Sequence, residues 1–421
     1  EITIPPMQLF DEEENPNHSS IVTYSANTGK TVNIKDAYKE KGFDFTGAKT
    51  FDKNTGYRTQ SVLSVPLKNH ENDIVGVMQL INAKDPQSGK TISFSADMQH
   101  QIESLASQGA VALTNKRLVA ELKSLFESFI QLIATAIDKK SPYTGGHCER
   151  VPEITMLLAD AVEKTTEGKY ADFTMTEDER YELYLAGWLH DCGKVATPPH
   201  VVDKGMKLET ITDRIETVDV RFEVLKRDAE IDMLKKQIDL MKNGTANGEI
   251  EESENAFKEI IEKLTDEQEF IQKTNRGGEF MEEADQKRVS DIGNYRWVSQ
   301  GEKINFLDEK EVRNLQIPKG TLLPEEREII NDHIVITIDM LNKLPYPKNL
   351  RKIPEFAGGH HEKLDGTGYP KGLKDEEMSV QAKMMAIADI YEALTAADRP
   401  YKDGKKLSQA MRIMGFMKKD Y

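Results

Sequence analysis

The sequence predicts an α+β multidomain protein: a mixed α+β segment over 1–114, a connecting helix over 115–140, and an all-helical domain over 141–421 with a helical insertion at about 206–319. Three observations predict it. Strand-like runs joined by a polar turn give way to helical periodicity near residue 95. Apolar residues then recur at spacings of three and four across the next segment, and the histidine-bearing stretches beyond it lie in helix-like or turn contexts. At ~150 residues per domain, a chain of 421 residues is expected to hold roughly two to three domains.

Composition narrows the function classes. With 38% hydrophobic and 30% charged residues the chain reads as soluble and globular, and no apolar run reaches the ~18 to 20 residues of a membrane span. The net charge of -16, from 56 basic and 72 acidic residues, repels polyanions and argues against duplex nucleic acid as a partner. A phosphate-bearing ligand therefore needs a local cationic pocket. Cys148 and Cys192 are the only cysteines, too few for a disulfide framework, and no signal peptide precedes them, so a reducing, cytoplasmic setting is expected. The chain opens at Glu1 within a folded-looking segment, and the first domain is expected to be N-terminally incomplete.

Within the first segment, Ile21 to Tyr24, Ser61 to Pro66 and Ile74 to Ile81 read as strands, the last two forming an antiparallel hairpin across KNHEND. Helical periodicity follows from Ser95 through Met98, Ile102, Leu105, Ala106, Ala110 and Leu113. Leu118, Leu122, Leu125, Phe129, Leu132 and Ala136 then mark one face of a long amphipathic helix. Such a seam either pairs with its copy in a second chain or packs on its own domain. Further on, Ile211, Ile215, Val218, Phe222, Leu225 and Ala229 predict a helix over Thr210 to Lys242. The Asn243-Gly244 turn and Phe257, Ile260, Leu264 and Ile271 predict a returning helix, together a hairpin without a catalytic constellation.

The chemistry-bearing residues lie around that insertion. His190-Asp191-Cys192-Gly193-Lys194 follows the apolar segment YLAGWL, and on a helix His190 and Lys194 share a face at i and i+4. An adjacent His-Asp pair can offer a metal one imidazole nitrogen and one carboxylate oxygen. Alone the pair means little. His147, His333, His360 and His361 accompany it, and Asp389 interrupts the apolar run MMAIADIYEAL, where an unpartnered carboxylate is expensive and a metal supplies a partner.

Two stretches resemble known families. GYRTQSVLSVPL at Gly56 to Leu67, IVGVMQLINAKD at Ile74 to Asp85 and the following helix resemble the later part of a GAF domain, a small-molecule sensing fold. In its cyclic-nucleotide-binding members an Asn-Lys, Phe, Asp-Glu pattern follows that strand. Asn82, Lys84, Phe94 and Asp97 echo it, with Ala83 intervening and Met98 in place of Glu, which implies an unidentified small ligand there. HDCGKVATPPHVVDK at His190 to Lys204, HHEKLDGTGYPKGL at His360 to Leu373 and ADIYEALTAADRPYK at Ala388 to Lys402 resemble the HD-GYP branch of the HD metal-dependent phosphohydrolases.

That resemblance implies a ligand set of His147, His190, Asp191 and Asp389 for a first metal. His333 and the pair His360 and His361 complete a second site, with Asp191 bridging. Some members bind a third metal through a Glu four residues before the early histidine; here that position is Tyr143, so two divalent ions, iron or manganese, are expected. It implies further that Lys194 holds a substrate phosphate or stabilises developing charge, and that Arg399 and Lys402 act as a phosphate clamp. Gly366, Gly368, Tyr369 and Pro370 shape the namesake loop, from which Tyr369 can reach a base, and Glu362 and Asp365 stand as candidates to orient the histidines.

The implied activity is hydrolysis of a cyclic dinucleotide, most readily cyclic di-GMP, by metal-generated hydroxide to a linear dinucleotide or GMP, in bacterial second-messenger signalling. Cyclic GMP-AMP is the competing substrate. Two other classes stay open: an HD phosphohydrolase acting on a different nucleotide, and a catalytically silent cyclic-dinucleotide receptor or scaffold. A homodimer is expected, with sensor occupancy acting on the metal centre through the helix over 115–140.

Overall fold

The computed structural model describes residues 7–140, 146–243, 247–278, 280–396 and 404–417, and it divides into two units, Glu1–Phe126 and Glu127–Tyr421.

In the first unit the chain runs α1 (Ile21–Thr28), β1 (Val32–Ile34), α2 (Thr46–Thr55), β2 (Val62–Lys68), β3 (Ile74–Ile81), β4 (Ala83–Lys84) and β5 (Thr91–Ile92) into α3 (Ala96–Asp138). The main sheet has the antiparallel order β1-β2-β3, with Val62 opposite Ile81 and Leu63 opposite Leu80. β2 is central, and its period-2 alternation feeds two cores. Leu63, Val65 and Leu67 pack with Phe94, Ala106 and Ala110, the two alanines letting α3 lie close. Val62 joins Ile21, Val32, Ile34 and Phe45 on the other side.

The expected strand at Ile21 to Tyr24 is instead the first turn of α1. Ser20 accepts from the Thr23 N–H and the Thr23 hydroxyl returns to the Ser20 N–H, a capping box that outweighs the β-branched run. A second difference concerns α3. The two periodicities on either side of residue 114 belong to one uninterrupted helix of 43 residues, because nothing between them can cap or break it.

The second unit is helical around its core. The end of α3 leads to α4 (His147–Glu163), α5 (Glu177–Leu189), a 3-10 turn at Cys192–Ala196 and α6 (Pro199–Val202). The insertion follows as α7 (Ile215–Lys242), α8 (Asn247–Asn275), α9 (Glu283–Gly293), β6 (Arg296–Ser299), β7 (Glu302–Asn305) and α10 (Glu309–Leu315). Then come α11 (Pro324–Asn331), α12 (His333–Asn342), α13 (Ile353–Gly358), α14 (Val380–Thr395) and α15 (Leu407–Met417). The main core joins Ile130 and Ile137 of α3 to Leu183, Leu185 and Leu189 of α5, Phe356 of α13 and Met384 and Met385 of α14.

The insertion is helical apart from one hairpin. Gln300 and Gly301, at φ of 51° and 85°, make the tight two-residue turn between β6 and β7. The base of the insertion is locked by two buried lysines. The Lys204 ammonium reaches Asn314 Oδ1 at 2.7 Å and Glu326 Oε2 at 2.8 Å, and that of Lys207 donates to the Leu315 and Ile317 carbonyls at 2.9 and 2.8 Å.

Candidate metal centre

Six different elements deliver the histidines and carboxylates. His147 opens α4, and His190 closes α5 as its C-terminal cap. The α-helix ends at Leu189, so His190 and Lys194 do not share a helical face. Asp191 leads instead into the 3-10 turn, which brings the Lys194 ammonium back to Asp191 Oδ2 at 2.5 Å. His333 opens α12, His360 and His361 follow the end of α13, and Asp389 projects from α14.

The Asp191 carboxylate lies at the centre of this set. Its Oδ2 is 3.2 Å from His147 Nε2 and 3.4 Å from His190 Nε2, while Asp389 Oδ1 lies 3.4 Å from the same His147 nitrogen. Its Oδ1 is 3.3 Å from His333 Nε2 and 4.0 Å from His360 Nε2, and His361 Nε2 stands 3.2 Å from that of His333. Two groups able to ligate a metal therefore meet at one carboxylate: His147, His190 and Asp191, and His333, His360 and His361.

The histidine rings are oriented from behind. His190, His333 and His360 each turn Nδ1 to the carbonyl three residues earlier, Gly187, Ile330 and Ala357. His147 Nδ1 meets Glu392 Oε2 at 2.6 Å. Donation through Nδ1–H leaves an Nε2 lone pair facing inward in each case. Two such lone pairs 3.2 Å apart, His147 facing His190, repel each other unless a proton or a cation joins them. Asp191 Oδ1 and His360 Nε2, both buried, have no hydrogen-bond partner. This donor set fits divalent metal ions.

The electrostatics agree. Burial opposes ionisation of Asp191, but Lys194, His190 and His147 outweigh it and hold its carboxyl well below the usual range. Burial also works against a charge on His147, yet Asp191 and Glu392 push its pKa up to about 10, so without metal a proton occupies the place a cation takes. Burial and the neighbouring His190 push His360 down to about 4, and burial with His360 and His333 drives His361 far down. Those two rings stay neutral, as ligands must.

Other expected residues fall differently. The Tyr369 ring stacks on His361 at 4.8 Å and 21°. Glu362 orients no histidine; it accepts the Lys371 and Leu373 N–H groups at 2.7 and 2.8 Å and so shapes the loop, and Asp365 likewise serves Thr367. Arg399, Lys402 and Tyr143 lie outside the described residues. In the first unit, Asn82 is spent on the main chain, accepting from the Gln60 N–H and donating to the Arg58 carbonyl at 2.7 Å each. Phe94 is a core residue, whereas Lys84 and Asp97 are exposed. Glu392 was missed by sequence reasoning, although its place at i+3 from Asp389 puts both on one helix face.

Comparison with known proteins bears on both units. Residues 4–113 match the family model described as GAF domain, and residues 310–421 the one described as HD domain. The chain carries a GAF domain and an HD domain. The HD match takes in His333, His360, His361 and Asp389. His147, His190 and Asp191 precede it, beyond the insertion, and the fold returns them to the same centre.

A 3'3'-cGAMP-specific phosphodiesterase of Vibrio cholerae is 35% identical over 119 residues, 28% of this chain and 25% of its own length. A cyclic di-GMP phosphodiesterase of Thermotoga maritima is 41% identical over 93 residues, 22% of this chain and 25% of its own. One from Pseudomonas aeruginosa is 53% identical over 55 residues, 13% of each. The chain thus spans a quarter or less of the length of these relatives. No helix among the described residues is long and apolar enough to cross a membrane.

Proposed function

We propose that the HD domain is a metal-dependent phosphodiesterase acting on a cyclic dinucleotide, with cyclic di-GMP as first choice and cyclic GMP-AMP as second. The observation that carries this reading is the single buried carboxylate of Asp191, whose two oxygens face two separate histidine groups. Mixed imidazole and carboxylate donors favour iron or manganese over magnesium or calcium. Two such ions, when bound, supply Lewis acidity to the phosphodiester and lower the pKa of a water molecule.

The residues of the chain define the rest. Asp191 sets the spacing of the two groups, and the back-bonded histidines hold their lone pairs inward before any ion arrives. Burial opposes the charge on Lys194, but Asp191 raises its pKa above the ordinary lysine value, so it stays cationic across the working range. Its side chain keeps 28% exposure, enough to meet a phosphate oxygen in a chain whose overall charge repels one. Tyr369 covers His361 and offers a face for a base to stack on. The GAF domain serves as sensor for a small ligand in this reading, and the chain works in the cytoplasm as a homodimer.

Metal analysis of anaerobically purified protein, joined to product analysis with each cyclic dinucleotide, tests the proposal. About two ions per chain and a linear product, both lost in Asp191→Ala, are expected. Full metal loading with neither compound cleaved sinks the cyclic-dinucleotide phosphodiesterase reading and favours another phosphoester substrate or a silent receptor.

A further inference from the structure

The C-terminal end of α3 reaches the metal centre with two side chains that no ligand scheme requires. Asp138 is buried, and its Oδ2 accepts the main-chain N–H groups of Gly146 and Cys148 at 3.1 Å each. Those two residues flank His147 and belong to the first turn of α4, where the donors have no partner inside the helix. Lys140, two positions on, donates Nζ to three carbonyls: Lys194 at 3.1 Å, Val195 at 2.5 Å and Thr197 at 2.7 Å. All three ammonium donors are thereby used at the C-terminal end of the 3-10 turn that begins one residue after Asp191.

We propose that Asp138 and Lys140 are positioning residues that form a two-pronged clamp on the His147, His190 and Asp191 group. One prong fixes the start of α4 and hence His147. The other fixes the turn that carries Asp191 and Lys194. His333, His360 and His361 are held by α12 and α13, so the clamp acts directly on one metal group and reaches the other only through Asp191 Oδ1. Both prongs leave the same helix end, and a displacement of α3 beyond hydrogen-bond reach releases them together.

The inference rests on the binuclear metal reading, but its test needs no substrate. Manganese is titrated calorimetrically into metal-free full-length protein and its variants. Lys140→Met and Asp138→Ala are each expected to weaken one of the two binding steps about tenfold and the other to a clearly smaller extent. Lys140→Arg and Asp138→Asn, which keep a donor and an acceptor respectively, are expected to recover most of that loss. Two unchanged steps in both truncating variants overturn the clamp, as does an equal loss at both steps with a fall in helicity. If the wild-type protein cleaves no cyclic dinucleotide yet shows the selective weakening, the clamp stands and the phosphodiesterase reading falls. If it cleaves one and the variants titrate like wild type, the reverse holds.

Discussion

At Gly193, an added Cβ would lie 1.9 Å from the His333 carbonyl oxygen and 2.6 Å from the Thr337 nitrogen, so the 3-10 turn packs main chain against main chain on α12. Gly193→Ala is therefore expected to push Asp191 and His333 apart, lowering bound manganese below one ion per chain and reducing the melting temperature; unchanged metal content would refute this. Glu392 acts at longer range, pairing with both His147 and Arg150. Glu392→Gln is expected to weaken metal binding about 10- to 100-fold with the circular dichroism spectrum unchanged. The histidines and aspartates gathered at the metal centre were legible in the sequence through the motifs that resemble the HD-GYP branch, and Asp389 also because a carboxylate stands out in an apolar run. The carbonyls of Gly187, Ile330 and Ala357 were not, since every residue has one and only the helix ends decide which faces a ring. The sequence spacing puts Lys194 one helical turn from His190, but the α-helix ends at Leu189 and the 3-10 turn brings its ammonium to Asp191 instead.

Among the elements, α3 presents Leu118, Leu122, Leu125, Phe129 and Leu132 with 46 to 64% exposure, at the alternating four-three spacing of a coiled-coil seam. The buried side chains of its final turns, Ile130, Ala134 and Ile137, lie on a different face. Of the two roles that spacing allowed, pairing with a second copy fits the exposed face. Leu122→Glu with Phe129→Glu is expected to halve the mass measured by light scattering, and an unchanged mass would exclude the seam as the interface. The hairpin β2–β3 was legible from two strand-like runs joined by the polar turn KNHEND. β6–β7 was not, because Trp297, Val298 and Ile304 are too few and too spaced to stand out between long helices. At the stalk of the insertion, burial alone lowers the pKa of Lys207 to about 8. The unfolded chain keeps that proton up to about 10.4, so the folded state sheds it first and stability rises as pH increases from about 8, by at most ~3 kcal/mol. Lys207→Met is expected to flatten that part of the melting profile relative to wild type.

For the whole molecule, the insertion has a core of its own, in which Phe222 and Phe306 meet edge to face at 4.6 Å among Leu208, Ile271 and Ile292. Phe222→Ala is expected to cost about 3–5 kcal/mol there, lowering an early calorimetric transition while metal content stays at the wild-type value. A fall in both would mean that the insertion and the metal centre unfold as one. The division of labour follows from sequence distance: the two histidine groups are separated along the chain by a body that folds around different residues. That same separation governs the birth of the protein. Asp191 and Asp389 stand 198 positions apart, and on a ribosome adding roughly 5–20 residues per second the first waits roughly ten to forty seconds for the second. A nascent chain halted before His333 offers an ion only the earlier group, without the histidines that face Asp191 Oδ1, so the order of synthesis itself delays complete metallation until the last helices emerge.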